Sequence, residues 1–276
     1  MPDTPSRASS STVKSAERLL DVLDLLARHT RPVPTMTIAR ECDIPKSSAH
    51  HLLNVMRDRH FVTYYERERA WGLGVALFEI GSAYLRSAPL QRLGRHLLVE
   101  LTERTGATSH LAMLHGSEVL YIDKEQPTGT VGLVTEIGVR LPAHLTAVGR
   151  AILAEVPEAQ VRALFANQPL VNRTGHGPTS VDALLRDLDD VRARGFALDD
   201  EMVTPGISCV AAPVFSHERV PAAAVGITFV SAQRTPEDIA IASEVVREVS
   251  GRLSKSLGYS GAPGRDVDAG IRSIAV

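Results

Sequence analysis

Between Thr37 and Met56 two short helical periods meet across a tight turn, and no other stretch restricts the fold so far. Thr37-Ile38-Ala39-Arg40-Glu41 sets Ile38 and Ala39 inward and ends near Cys42-Asp43; Ile44 is an apolar plug, and Pro45 suits the first turn of a new helix. In that second helix Ala49, Leu52, Leu53 and Met56 recur at three- and four-residue spacing, leaving Lys46, Ser47, Ser48, His50, His51 and Asn54 on the other face. The pair predicts a helix-turn-helix, whose second helix enters a DNA major groove with its N-terminal polar residues at base edges. Hydroxyls, an amide and imidazoles can read bases, whereas Lys46, Arg57 and Arg59 suit phosphates. The plainer alternative is an amphipathic helix pair with a solvated polar face.

The flanking segments favour the first reading. Upstream, Val13, Ala16, Leu20, Leu23 and Ala27 form a helical stripe, widened by Leu19 and Leu26 and ended before Pro32 and Pro34, which predicts a supporting helix. Downstream, Phe61–Tyr65 and Ala70–Leu73 are aromatic and β-branched runs around the charged tip Glu66-Arg67-Glu68-Arg69. That hairpin reads as the wing of a winged helix-turn-helix, with Arg67 and Arg69 at its tip beside phosphate or minor groove. Leu73, Leu77, Ile80 and Tyr84, with Phe78 and Leu85, make a further helix so apolar that it needs a partner, either a second subunit or its own chain. Residues 1–11, rich in Ser and Pro, are expected as a disordered arm.

The chain is long enough, at 276 residues, for two domains each with a core. Residues 1–88 hold 12 Lys+Arg against 10 Asp+Glu, and the remainder 18 against 22, so DNA affinity must come from local clustering rather than from a basic domain. Aromatic residues make up only 4%, which argues against stacking platforms for single strands. Cys42 and Cys209 offer neither a disulfide framework nor paired metal-ligand spacing, and a reducing cytoplasm is the natural compartment. No apolar run approaches the roughly 20 residues that span a bilayer, so no membrane partner is expected.

After Pro89 the pattern changes. A helix carrying Leu90, Leu93, Leu97 and Leu101 ends at Gly106; Thr108–Leu114 and Glu118–Glu125 predict a hairpin; Thr130–Thr135 is a further candidate strand. Helices are expected over Thr146–Ala154, Glu158–Phe165 and Val181–Arg194, strands over Ser208–Phe215 and Pro221–Phe229, and a long helix after the Thr235-Pro236 cap. Hairpin-paired strands with helices outside the sheet indicate an α+β sensory domain. The Gly- and Pro-rich tail over 259–276 is expected to be disordered.

Catalytic motifs are scarce. There is no phosphate loop, and Gly206-Ile207-Ser208-Cys209-Val210 lacks the last glycine of a serine elbow. Cys209, His144 and Asp199 could form a nucleophilic set only by meeting in space, and a structural Cys is the commoner outcome. His110, His115, His144 and His217 have no short ligand spacing, and neither a metal nor a cofactor is expected. Thr146 is a plausible N-cap, and the small residues Ala147, Gly149 and Ala151 suit either an anion at that helix N-terminus or close packing on a sheet.

Taken together, the two halves resemble the IclR family of bacterial transcription regulators from about Val13 to Gly258. The resemblance rests on Thr37–Glu41, Ile44–His50, Leu52-Leu53 and Trp71-Gly72-Leu73-Gly74 in the first half. In the second it rests on Leu141–His144, Thr146–Ala151, Arg192–Phe196, Asp200-Glu201 and Gly206–Val214. It implies an N-terminal winged helix-turn-helix (12–72), a linker helix (73–88) and a C-terminal GAF-like effector-binding domain with an antiparallel sheet (89–258). It also implies a repressor working as a dimer or dimer of dimers on a palindromic operator in double-stranded DNA, answering to an organic-acid or aromatic metabolite. By the same resemblance the effector pocket is lined by Thr130, Leu133, Leu141, Ala147, Val148, Asp199, Ile207, Cys209, Gly226 and Thr228. Two positions depart from the family pattern: Arg150 stands where Lys is frequent, and Gly226 where a hydroxyl residue can touch the ligand. The second suggests extra room and a bulkier or less polar ligand than a two-carbon acid. An enzyme using Cys209 and an architectural DNA-binding protein without a ligand are the competing classes.

Overall fold

A computed structural model describes residues 13–127 and 136–261. The expected arm over 1–11, the candidate strand Thr130–Thr135 and all of the expected tail beyond Gly261 lie outside the described residues. The chain divides between Ser87 and Ala88 into two compact units.

In the first unit, α1 (Lys14–Arg28), α2 (Thr35–Glu41) and α3 (Lys46–Asp58) enclose a core in which Val22, Ile38, Ala49 and Leu53 are fully buried. Ile44 plugs the turn between α2 and α3, after Asp43 takes a left-handed conformation (φ 49°). The buried side of α1 is Val22, Leu25 and Leu26, whereas Val13 and Leu20 are 67% and 60% exposed. Of the stripe read from sequence, Leu19, Leu23 and Leu26 pack on this core while Val13 and Leu20 turn to solvent: a Leu-rich helix offers two apolar rows, and only packing on α2 and α3 sets the rotation between them. Strands β2 (Val62–Tyr65) and β3 (Ala70–Leu73) form the hairpin, and β1 (Val33–Pro34) adds an edge to β3. An edge position tolerates Pro34, since an edge proline can turn its missing donor outward. Trp71 packs into the core and donates from Nε1 to Thr35 Oγ1 at 2.9 Å, tying the wing to α2. Helix α4 (Val75–Ser87) follows, with Val75, Phe78 and Ile80 exposed.

The second unit is a six-stranded antiparallel sheet in the order β6-β5-β4-β9-β8-β7. Its strands are β4 (Thr108–His115), β5 (Glu118–Glu125), β6 (Arg140–Pro142), β7 (Ala197–Asp200), β8 (Ile207–Phe215) and β9 (Pro221–Val230). Alternation along the strands divides the side chains between two cores. Leu111, Val210, Val225 and Ile227 face α5 (Pro89–Thr105) and α9 (Pro236–Ser256), with Leu98, Leu101, Val246 and Val249 opposite them. Ala112, Tyr121, Ala211 and Ala224 face α6 (Ala147–Leu153), α7 (Glu158–Phe165) and α8 (Val181–Arg194). The α+β architecture expected from the alternation of hairpins and helices is the one found.

Thr235 and Asp238 close a reciprocal capping box at the start of α9, satisfying two donors that a helix N-terminus otherwise leaves orphaned. Past α9, Tyr259 stacks on Phe215 with ring centroids 5.1 Å apart, so the first residues of the expected tail are packed.

Candidate functional site

The first site is the outer face of α3. Burial of Ala49, Leu53 and Met56 fixes the rotation of this helix, and Lys46, Ser47, Ser48, His50 and His51 are in consequence exposed. Asn54 is half-buried, its Nδ2 placed 2.9 Å from His50 Nδ1. An amide N–H can only donate, so a neutral His50 holds its own proton on Nε2 and presents a donor. At the wing tip Arg67 and Arg69 are both exposed in the turn between β2 and β3, and Arg69 adopts φ 51°. Arg57, by contrast, is engaged with its neighbour Asp58 at 3.1 Å.

The second site lies on the α6 side of the six-stranded sheet. Register places Asp199 opposite Cys209, Cys209 opposite Thr228, and Gly226 opposite both Ala211 and His110. Thr228 Oγ1 lies 3.1 Å from Cys209 Sγ and 3.5 Å from His110 Nδ1, and the His110 ring meets Tyr121 edge-on at 5.3 Å. Leu141, Ala147 and Val148 are buried in the same core, and Ile207 begins β8 on the Cys209 side. Eight of the expected effector residues therefore share one face or the helix over it, while Thr130 and Leu133 lie outside the described residues.

Gly226 does not leave room. A Cβ there would lie 2.8 Å from Val210 O, 2.9 Å from Ala211 Cβ and 3.3 Å from His110 Nε2. The volume that a larger side chain would fill is held by the neighbouring strands and by the imidazole, which corrects the expectation of extra space. Small residues at the start of α6 likewise serve packing. A Cβ on Gly149 would strike Ala143 O at 2.2 Å, and the Gly149 N–H is already donated to Thr146 Oγ1 at 3.1 Å.

Burial governs the electrostatics. Desolvation pushes the Asp199 carboxyl up to about 6, against the pull of the Met202 N–H, which donates to Oδ1 at 2.8 Å, and of Arg150. It pushes the Cys209 thiol up as well, helped by Asp199, and lowers His110 to about 3, helped by Lys124. Cys209 is accordingly a neutral thiol and His110 a neutral imidazole at physiological pH. His144 points elsewhere, with Nε2 at 2.9 Å from Val171 O and its ring edge-on to Phe165, so Cys209, His144 and Asp199 do not assemble as a nucleophilic set. Arg150 is fully buried and reaches Asp187 and Leu198 O, joining α6 to α8 and β7.

Two residues belong to this face without having been expected on it: His110, considered from sequence only as a metal ligand, and Lys124. His110 sits over Gly226, and Lys124 is its cross-strand neighbour on β5. The Lys124 side chain is 7% exposed, and its Nζ lies 2.8 Å from Glu136 Oε1. Their signal is long-range strand register, which local periodicity does not carry. A separate cleft of about 750 Å³, lined in part by Arg192, Arg247, Lys255 and Tyr259, includes none of Asp199, Cys209, Thr228 or His110.

Comparison with known proteins bears on both sites. The IclR helix-turn-helix domain matches residues 15–65, and the C-terminal domain of bacterial transcriptional regulator IclR matches residues 82–255. The HTH-type transcriptional regulator XynR of Escherichia coli is 31% identical over 247 residues, covering 90% of this chain and 98% of its own. The transcriptional repressor IclR of the same organism is 32% identical over 229 residues, covering 82% and 84%. Among solved structures, the Thermotoga maritima IclR superposes with a TM-score of 0.72 at 31% identity, covering 90% of this chain and 100% of that one.

Proposed function

The chain belongs to the IclR family of bacterial transcriptional regulators and is a DNA-binding regulator, and from that premise we propose that it represses its targets until a small organic acid binds the second unit. We assign DNA reading to residues 12–72, coupling to 73–88 and effector binding to 89–258. The observation that carries the reading is the α3 face: Lys46, Ser47, Ser48, His50 and His51 are exposed polar side chains on a helix whose rotation is locked by a buried core. Ser47, Ser48, His50, His51 and Asn54 read bases, and Lys46, Arg67 and Arg69 hold phosphate or the minor groove.

Dimerisation on a palindrome fits the apolar residues that a single chain leaves in water on α4, with Phe78 76% and Val75 59% exposed. The assembly is a homodimer or a dimer of dimers. Asp199, Cys209 and Thr228 offer hydrogen bonds to an acid's polar atoms, and Leu141, Ala147, Val148 and Ile207 supply apolar wall. The protein acts without catalysis: Cys209 is protonated and bonded to Thr228 rather than to a base. Among the described residues no helix is long and apolar enough to cross a membrane, and the cytoplasm is the assigned compartment.

Gel-shift titration with duplex fragments flanking the protein's own gene tests the proposal. Specific binding that a small carboxylate weakens or releases supports it. Binding that is indifferent to sequence and to every acid supports an architectural role, and turnover abolished by Cys209→Ser with DNA binding intact supports an enzyme.

A further inference from the structure

Lys124 is a cation placed where cations are costly. Its side chain is 7% exposed, it lies beside His110 on the face that carries Thr228 and Cys209, and its ion pair is with Glu136, whose own side chain is 67% exposed. The His110 imidazole beside it is neutral and supplies no negative charge. A covered ammonium needs an anion, while a carboxylate still mostly in water gives up little by returning to it.

Resting on the effector reading above, we propose that Lys124 is the group that receives the effector's carboxylate, and that Glu136 is an internal competitor which the effector displaces. Exchange of one carboxylate for another leaves the charge of the face unchanged, which selects acids over amides, alcohols and amines. The entering carboxylate exchanges a half-solvated pair for a better enclosed one, where a charged hydrogen bond is stronger. The direction of the ligand follows. Its carboxylate lies toward β5, and its body crosses His110 on β4. Its far end meets Thr228 on β9, two interstrand spacings of about 4.8 Å from β5 and two residues along the strand from Gly226, which stands in line with Lys124 and His110. An acid with a ring or a chain of comparable length and a distal hydroxyl reaches both ends, whereas acetate reaches only one.

The test is calorimetric titration of the full chain with acetate, glycolate, pyruvate, benzoate and 4-hydroxybenzoate, each matched with its primary amide. The acid that binds best to wild-type protein is expected to exceed its amide by roughly tenfold or more, the scale of one charge-assisted hydrogen bond. Lys124→Gln should remove that preference by weakening the acid and not the amide, and Glu136→Gln should strengthen the acid several-fold. A folded Lys124→Gln protein that keeps the wild-type acid affinity overturns the assignment while leaving the organic-acid reading intact. Failure of every acid to bind overturns both. Should Lys124→Gln not fold, Glu136→Gln decides, because an unchanged or weakened acid affinity contradicts displacement.

Discussion

The imidazole of His110 lies across the position from which a side chain at Gly226 would rise, with Nε2 3.3 Å from the Cβ that glycine lacks. The two residues are cross-strand partners on β4 and β9, and the Nδ1 of the same ring lies 3.5 Å from Thr228 Oγ1. Gly226→Ser therefore does not supply a ligand-binding hydroxyl. Its Cβ also meets Val210 O at 2.8 Å, a backbone atom that cannot swing away. Overpacking of this kind costs about 1–3 kcal/mol, to be read from urea unfolding of the variant against wild type. A Ser variant of undiminished stability would show that the strands move apart freely.

Asp199 sets a pH dependence. Its folded value of about 6 stands above the unconstrained 3.8, so the folded state holds the proton more tightly than the unfolded state does. This contribution is full below the unfolded value and is lost as pH rises through about 6, at a cost on the order of 3 kcal/mol. Asp199→Asn keeps an acceptor for the Met202 N–H and should flatten stability measured between these two values. A variant with the wild-type slope would assign the proton to another group.

The wing makes a separable contribution. Arg67→Ala with Arg69→Ala should reduce the slope of log affinity against log salt by about 1 for each phosphate deprived of its arginine. Equal weakening on cognate and random duplex is expected, since phosphates carry no sequence information. An unaltered slope would mean that the tip points away from the duplex.

Helix α4 should assemble the protein rather than stabilise the chain. Phe78→Asp places a charge on a residue 76% exposed in one chain, and such surface changes move monomer stability by about 0.5 kcal/mol or less. Sedimentation should nonetheless register a shift from dimer to monomer and the gel-shift assay a loss of operator binding. A Phe78→Asp protein that remains dimeric would move the interface elsewhere.

Much of this was legible in the chain itself, because helix and hairpin signals are local. The α3 face, the wing, the α5 stop at Gly106 and the Thr235 cap each follow from residues within one or two turns. The rotation of α1 was not legible, since Val22 and Leu20 are equally apolar and only tertiary packing separates them. Strands β6 and β7 escaped for a related reason: with three and four residues they exist by pairing with β5 and β8, not by propensity. Most of the effector face came from family motifs. Its polar centre depends on register across distance, Thr228 and His110 being 118 residues apart, and no local pattern announces such a meeting.

Selection from a random duplex library, with sequencing of the DNA retained by the full chain, decides whether α3 reads bases. One enriched palindrome is expected, with half-sites about 10 base pairs apart or a multiple of that, lost when Ser47→Ala and His51→Ala are combined although random DNA is still bound. Enrichment should also fall when the best-binding carboxylate is present during selection. No enriched motif, or the same motif retained by the double variant, would contradict base reading by α3.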